Sequence, residues 1–465
     1  MSEKSAAELL KEKLFISKKN RLVGVDEQKW NKITEFGEGY KKFLAAGKTE
    51  REAARAAIRI AEDAGFVPYV QGKKYNAGDK YYVSNRGKTV AFVVVGKQNV
   101  EEGVQITATH IDSPRIDLKP NPLYEDSELA LFKTHYYGGI KKYQWTAMPL
   151  ALHGVFAKKD GSVVDVCIGE DENDPCFVVT DLLPHLAQEQ SKRTLADGIR
   201  GEELNILIGS RPFKDDKASE LVKLNIMSIL HEKYGVTEDD FLSAELECVP
   251  AAKPRDIGFD RSLIGGYGHD DRVCAYPALM AAISTRNPSK TVVTILADKE
   301  EIGSDGNTGL NSDFLRFVIR DLAQSQGADY TVVLRNSKCL SADVNAGLDP
   351  TFKDVMEAQN AARINHGAVI TKYTGSRGKA GTSDASAEYV AYVRNLLDSA
   401  DIAWQTGELG KVDLGGGGTV AMYIANMGVD VVDLGVPVLS MHAPFEVISK
   451  FDLYETFRAM CEFCK

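Results

Sequence analysis

Residues 291–304 read TVVTILADKEEIGS and lie a short helix beyond GHDDR at 268–272. Residues 291–296 are β-branched or apolar over the length of one strand, which predicts a buried strand. Asp298, Lys299, Glu300 and Glu301 follow close behind. A buried strand that opens into four charged groups fits the exit of an open α/β sheet, where ligands sit beyond the carboxyl ends of the strands. A lone Glu-Glu pair is more often a solvated turn, so the reading depends on what else reaches the same rim.

Upstream, residues 26–66 have a helical pattern. Thr49 and Glu52 form a T-x-x-E capping box, Gly65 stands at a C-cap position, and Ala53, Ala57, Ile60, Ala61 and Ala64 share one face. Residues 90–95 are a nearly continuous apolar run, and Val104, Ile106 and Ala108 alternate with Gln105 and Thr107. Two strands therefore precede THID at 109–112, and His110 ends the second. Downstream, the pattern predicts helices at 271–284, 312–325 and 383–399 and strands at 331–334 and 429–434. Pro277 predicts a kink or a later start in the first helix. SAD at 341–343 follows one of these strands, and SMH at 440–442 follows another through Pro437.

Between these α/β segments the texture changes. Pro120, Pro122, Pro149, Pro175 and Pro184 punctuate short alternating runs such as 163–166 and 177–179, up to a proline-bounded hinge at 250–254. The chain divides into a discontinuous α/β catalytic domain, 1–118 and 256–465, and a β-rich insertion, 119–255. A length of 465 residues and a mass of 50.9 kDa agree with two domains. The net charge of −10 and pI near 5.5 argue against general affinity for nucleic acid or anionic membrane. The charged first residues, the lack of an eighteen-residue apolar run and seven scattered cysteines predict a soluble protein of the reducing cytoplasm. Cys461 and Cys464 form a C-x-x-C pair with no second pair and no following βα unit, so no redox or zinc role is assigned.

His110 and His442 stand out among only eight histidines because both follow predicted strands. With Asp270, Glu301 and Asp343 they make two imidazoles and three carboxylates on one prospective rim. That set suits a pair of borderline divalent ions such as zinc, with one carboxylate bridging. Glu300, beside Glu301, supplies a base for a metal-activated water, the requirement of amide hydrolysis. No H-E-x-x-H helix is present, which argues against a single-zinc thermolysin-like site.

THIDSP at 109–114, GHDDR at 268–272, DKEEIGS at 298–304, SADVNAG at 341–347 and SMHAPFE at 440–446 together resemble the M18 metalloaminopeptidases, the aspartyl aminopeptidase family. Single blocks such as E-E-x-G also resemble the related M42 and M28 peptidases. The resemblance implies a zinc-peptidase-like α/β/α sandwich with an inserted β-rich dimerisation domain, and dimers that assemble into a dodecamer. It implies two divalent ions per subunit, zinc with cobalt or manganese as alternatives: His110 and Asp343 at one, Glu301 and His442 at the other, Asp270 between them. Glu300 becomes the general base and later proton donor, and Asp112 the carboxylate that fixes the His110 imidazole. Asp271 is read as a helix N-terminal charge and His269 as a loop histidine.

His185, in LPHLA at 183–187, matches a block that lends a histidine to a neighbouring subunit, although Glu189 stands where many members carry a second one. Lys372, in VITK at 369–372, is the candidate partner for an acidic N-terminal side chain, with Arg377 and Lys379 as alternatives. The run Gly415 to Gly418 with Thr419 resembles an active-site loop of the family. The expected function is a metal-dependent aminopeptidase acting on peptides with a free N-terminus, acidic ones in the family's pattern. A co-catalytic zinc deacylase or carboxypeptidase, and a metal-free peptide-binding scaffold, are the alternatives.

Overall fold

Val90, Phe92 and Val94 face one side of the strand Thr89–Val94, Ala91 and Val93 face the other, and all are buried. The computed structural model, which describes residues 4–16, 19–215 and 217–465, shows what covers each side. The first set packs with helices Glu27–Ala46, Glu50–Asp63, His269–Ser284 and Lys450–Phe463. The second packs with Phe314–Ser325, Tyr330–Asn336 and Ala421–Ala425. Helices on both faces of one sheet make an α/β/α sandwich.

That sheet has nine strands. At its centre Val292–Ala297, Gln105–His110, Lys338–Ser341 and Asp430–Gly435 run parallel, in that order. Ala297 lies opposite His110, and Ser341 opposite Ala108, so three chains leave the sheet on one rim. The helix Glu50–Asp63 is closed at its start by the Thr49–Glu52 capping box, and its buried alanines 53, 54, 57 and 61 allow close approach to the sheet.

Two expectations are corrected. Residues 331–334 belong to the helix Tyr330–Asn336, and the strand follows at Lys338–Ser341. The Asp329 side chain accepts the Thr331 N–H at 2.7 Å, and this cap, with burial of Val333 and Leu334, outweighs the β-branched composition. The helix His269–Ser284 continues through Pro277; its non-helical angles fall instead at Asp270 and Asp271.

The second sheet has seven strands, ordered Val163–Ile168, Leu150–Ala157, Ala244–Pro250, Arg115–Asp126, Leu129–Tyr137, Ile206–Gly209 and Val178–Val179. Its core includes Phe132, Trp145, Phe156 and Phe241. Its first strand begins at Arg115, before the change of texture at 119, and absorbs Pro120 and Pro122 in a register shift between Leu118 and Leu123. A third sheet of five strands contains the hairpin Pro437–Leu439 and Glu446–Ser449, paired on to Leu263–Gly266. Cys461 and Cys464 sit at the end of the helix Lys450–Phe463, where burial pushes the Cys461 thiol up to about 12 and Cys464 upward as well. Protonated thiols of that kind are unreactive. Among the described residues no helix is long and apolar enough to cross a membrane.

The second sheet meets the sandwich through charge. His153, buried in the strand Leu150–Ala157, lies 2.8 Å from Glu52 through Nδ1 and 3.1 Å from Glu170 through Nε2. Lys48 pairs with Glu170 at 2.6 Å and Arg55 with Asp165 at 2.7 Å, while Arg51 pairs with Glu245. Burial pulls the His153 pKa down, but contacts with Cys167 and the two carboxylates raise it from 6.5 to about 11. A raised folded value means that the stabilisation is complete below pH 6.5 and is lost as pH rises through about 11. Replacing His153 with Gln is expected to cost about 3 kcal/mol in mildly acidic solution. Melting curves of variant and wild type should converge as pH is raised toward the folded value.

Candidate metal centre

Three strand exits, one helix start and one hairpin bring six side chains together. His110 is the last residue of Gln105–His110. Glu300 and Glu301 open the single turn Glu300–Ile302, entered through Lys299 at φ 70°. Asp343 follows Lys338–Ser341, Asp270 sits at the irregular start of its helix, and His442 lies in the loop between Pro437–Leu439 and Glu446–Ser449.

Asp270 is central. Its Oδ1 is 3.1 Å from His110 Nε2 and its Oδ2 is 3.1 Å from His442 Nε2. Glu301 Oε2 is 3.5 Å from His442 Nε2, and Asp343 Oδ1 is 3.9 Å from His110 Nε2. Glu300 Oε2 is 3.8 Å from His110 Nε2. Donor atoms of His110, Asp270 and Asp343 lie within 4.8 Å of one another, as do those of Asp270, Glu301 and His442. The structure thus brings all six residues together.

Asp112 supports the group from behind. Its Oδ1 is 3.3 Å from His110 Nδ1 and accepts the Glu300 N–H at 3.1 Å; its Oδ2 accepts the Glu301 N–H at 3.1 Å and the Tyr137 hydroxyl at 2.8 Å. Glu446, buried, accepts the backbone N–H of His442 at 2.8 Å and of Asp270 at 3.1 Å. Glu446 ends the SMHAPFE block, but the sequence gives no sign of its role because Asp270 lies far away in the chain. Asp271 is fully buried at the helix start, with Oδ2 3.4 Å from the His110 N–H. His269 is also fully buried and bonded to the Tyr40 hydroxyl at 2.7 Å, so it is a core residue rather than a loop one; burial lowers its pKa to about 3.

The charges of this cluster are out of balance. Burial pushes Glu300 up to about 7 and raises Glu301 and Asp343 well above the carboxylate range, with nearby acidic groups adding to the effect. Burial opposes ionisation of Asp270 too, but hydrogen bonds from both imidazoles hold it below the usual range. Burial opposes protonation of the two imidazoles, but Asp112, Asp270 and Glu300 raise His110, and Asp270 and Glu301 raise His442 to about 10. Crowded carboxylates of this kind call for positive charge, and Glu301 Oε1 is buried with no hydrogen-bond partner. The donor set therefore fits divalent ions.

The centre opens on a cavity of about 450 Å³ lined also by Gly139, Val344, Leu409, Gly416 to Thr419, Met422, Tyr423 and Met441. His185 and Lys372 are not among its walls. His185 is exposed in the short turn Pro184–Leu186, and Lys372 binds Asp384 at 2.8 Å, as does Lys379.

A family model described as aminopeptidase I zinc metalloprotease (M18) matches residues 43–464. A probable M18 family aminopeptidase 1 from Clostridium acetobutylicum is 50% identical over 447 residues, covering 94% of this chain and 96% of its own. The crystal structure of an M18 family aminopeptidase from Thermotoga maritima superposes with a TM-score of 0.92 at 44% identity, over 97% of this chain and 100% of that one. A yeast mApe1 dodecamer, 20% identical with a TM-score of 0.75 over 93% of this chain and 97% of its own, shares the fold. With the family model spanning nearly the whole chain and close relatives matching end to end, the chain belongs to the M18 family of zinc metalloproteases, and it is an aminopeptidase-type peptide hydrolase.

Proposed function

We propose that the protein removes N-terminal residues from peptides at a two-ion centre, with His110 and Asp343 at one ion, Glu301 and His442 at the other, and Asp270 shared. The observation that carries this reading is Asp270, whose two oxygens each face a different imidazole at 3.1 Å. Divalent ions held by these residues would supply Lewis-acid chemistry, lowering the pKa of a water and polarising the scissile carbonyl. Glu300 takes the proton from the attacking water. It holds that proton at a carboxyl oxygen and returns it to the departing amine. Asp112 fixes the backbone of Glu300 and Glu301, so the base does not drift from its water.

Among the described residues the cavity walls carry no Lys or Arg to bind a C-terminal carboxylate. That feature favours an aminopeptidase over a carboxypeptidase. The same walls bear on specificity. Leu409, Met422 and Met441 suit an apolar N-terminal side chain, whereas none of the cations considered for an acidic one, Lys372, Arg377 and Lys379, lines the cavity, and both lysines are bound to Asp384.

The second sheet serves as the dimerisation domain in this reading, and dimers build a larger homo-oligomer, as in the yeast dodecamer. Leu182, Leu183 and Leu186, all at least half exposed around His185, support a contact there that would carry the histidine to a second subunit. A cytoplasmic location agrees with the free cysteines.

Glu300→Gln should lower kcat by about 10²- to 10⁴-fold while metal content by elemental analysis stays at the wild-type level; wild-type turnover would remove the assigned base. A panel of aminoacyl substrates and their N-acetylated forms should show hydrolysis of the free amines only, with leucyl and methionyl above aspartyl. The reverse order would return Lys372 to the substrate site.

A further inference from the structure

The strand Leu129–Tyr137 of the second sheet ends in a turn that enters the metal centre. Tyr137 Oη donates to Asp112 Oδ2 at 2.8 Å, the oxygen that also receives the Glu301 N–H. The Arg115 guanidinium lies 3.9 Å from the centre of the Tyr137 ring and is itself held by Asp117 at 2.8 Å and by Glu50 and Glu247 at 3.3 Å. Two residues on, the Gly139 carbonyl accepts from His442 Nδ1 at 2.8 Å. Between them Gly138, at φ 73°, lies so near Glu301 that a Cβ would stand 3.3 Å from its Cβ and Oε2; a Cβ on Gly139 would stand 3.2 Å from His442 Nδ1.

We propose that residues 137–139 are positioning residues for both halves of the metal centre, so that the second sheet sets metal affinity in addition to any part it has in assembly. The Gly139 carbonyl accepts a proton held at His442 Nδ1, so that Nε2 is the nitrogen left to ligate once a bound ion displaces its proton. His442 is about one-third exposed and needs that anchor more than the buried His110 does. Tyr137 acts one step further back: its hydroxyl satisfies and aims Asp112, which in turn holds His110 and the Glu300–Glu301 backbone. The pairing of a hydroxyl for one half with a carbonyl for the other, from adjacent parts of one turn, leaves neither half independent of the inserted sheet. The inference rests on the two-ion reading given above.

The test uses the full-length protein. Zinc is titrated into metal-stripped wild type, Tyr137→Phe, Gly139→Ala and His110→Ala against a competing chelator, with melting of the metal-free forms and kcat measured alongside. Tyr137→Phe should bind zinc about 10- to 100-fold more weakly and regain turnover in excess zinc, which a purely structural lesion would not do. Gly139→Ala should weaken one ion of the two. If Tyr137→Phe lowers the metal-free melting temperature, Gly139→Ala decides, because it leaves the tyrosine hydrogen bond in place. Wild-type zinc affinity in both turn variants, with loss of an ion in His110→Ala, would overturn the proposal and leave the two-ion reading standing. Unchanged zinc binding in His110→Ala would overturn both.

Discussion

One carboxylate ties the active rim together. Asp112 is fully buried, and its two oxygens meet the Glu300 and Glu301 amides, the Tyr137 hydroxyl and the His110 imidazole. Burial opposes its ionisation, yet the contacts with His110, Tyr137 and Arg115 hold its pKa below the ordinary value. A buried carboxylate is tolerable only when it is paired and hydrogen-bonded on this scale. The group that satisfies Asp112 comes from three separate stretches of chain: a strand end, the turn of the glutamate pair and the inserted sheet. Any one of them out of place would leave a buried charge short of partners, so this single acceptor imposes a common geometry on all three.

Around it the protein holds an arrangement that its own residues do not neutralise. Asp270 serves two imidazoles, while Glu301 and Asp343 are left with acidic neighbours and pKa values well above their ordinary ones. Elsewhere the same chain handles buried charge differently. His153 answers Glu52 and Glu170, and Lys48 answers Glu170 as well. The contrast distinguishes charge used to hold layers together from charge left open for a cation.

The features legible in the sequence were those that strand periodicity places. Apolar runs ending at His110 and before Asp298 gave the strand exits, and parallel order at the sheet centre then required their side chains to meet. Residues whose role exists only in three dimensions were not legible. Glu446 accepts from Asp270 across 176 positions, Tyr137 reaches Asp112 from another sheet, and the third sheet is built from very short strands widely separated in the chain. Residues 331–334 misled for a local reason: the Asp329 cap fixes a helix where branched side chains favour a strand. His185 and Lys372, placed by resemblance alone, fall outside the walls of the cavity.

The order of strands carries a consequence for biosynthesis. The strand Gln105–His110 lies between Val292–Ala297 and Lys338–Ser341, both made much later, whereas the seven strands of the inserted sheet lie between Arg115 and Pro250 and pair only among themselves. On the ribosome the insertion has all its partners while the middle of the larger sheet still lacks its own, and domains generally fold as units during synthesis. His110 waits through that interval beside a sheet that has not closed, and the last of the six converging side chains, His442, follows Lys338–Ser341 by a further hundred residues or so. The six groups cannot converge in a shorter nascent fragment, because the hairpin that carries His442 is among the last parts of the fold to be made.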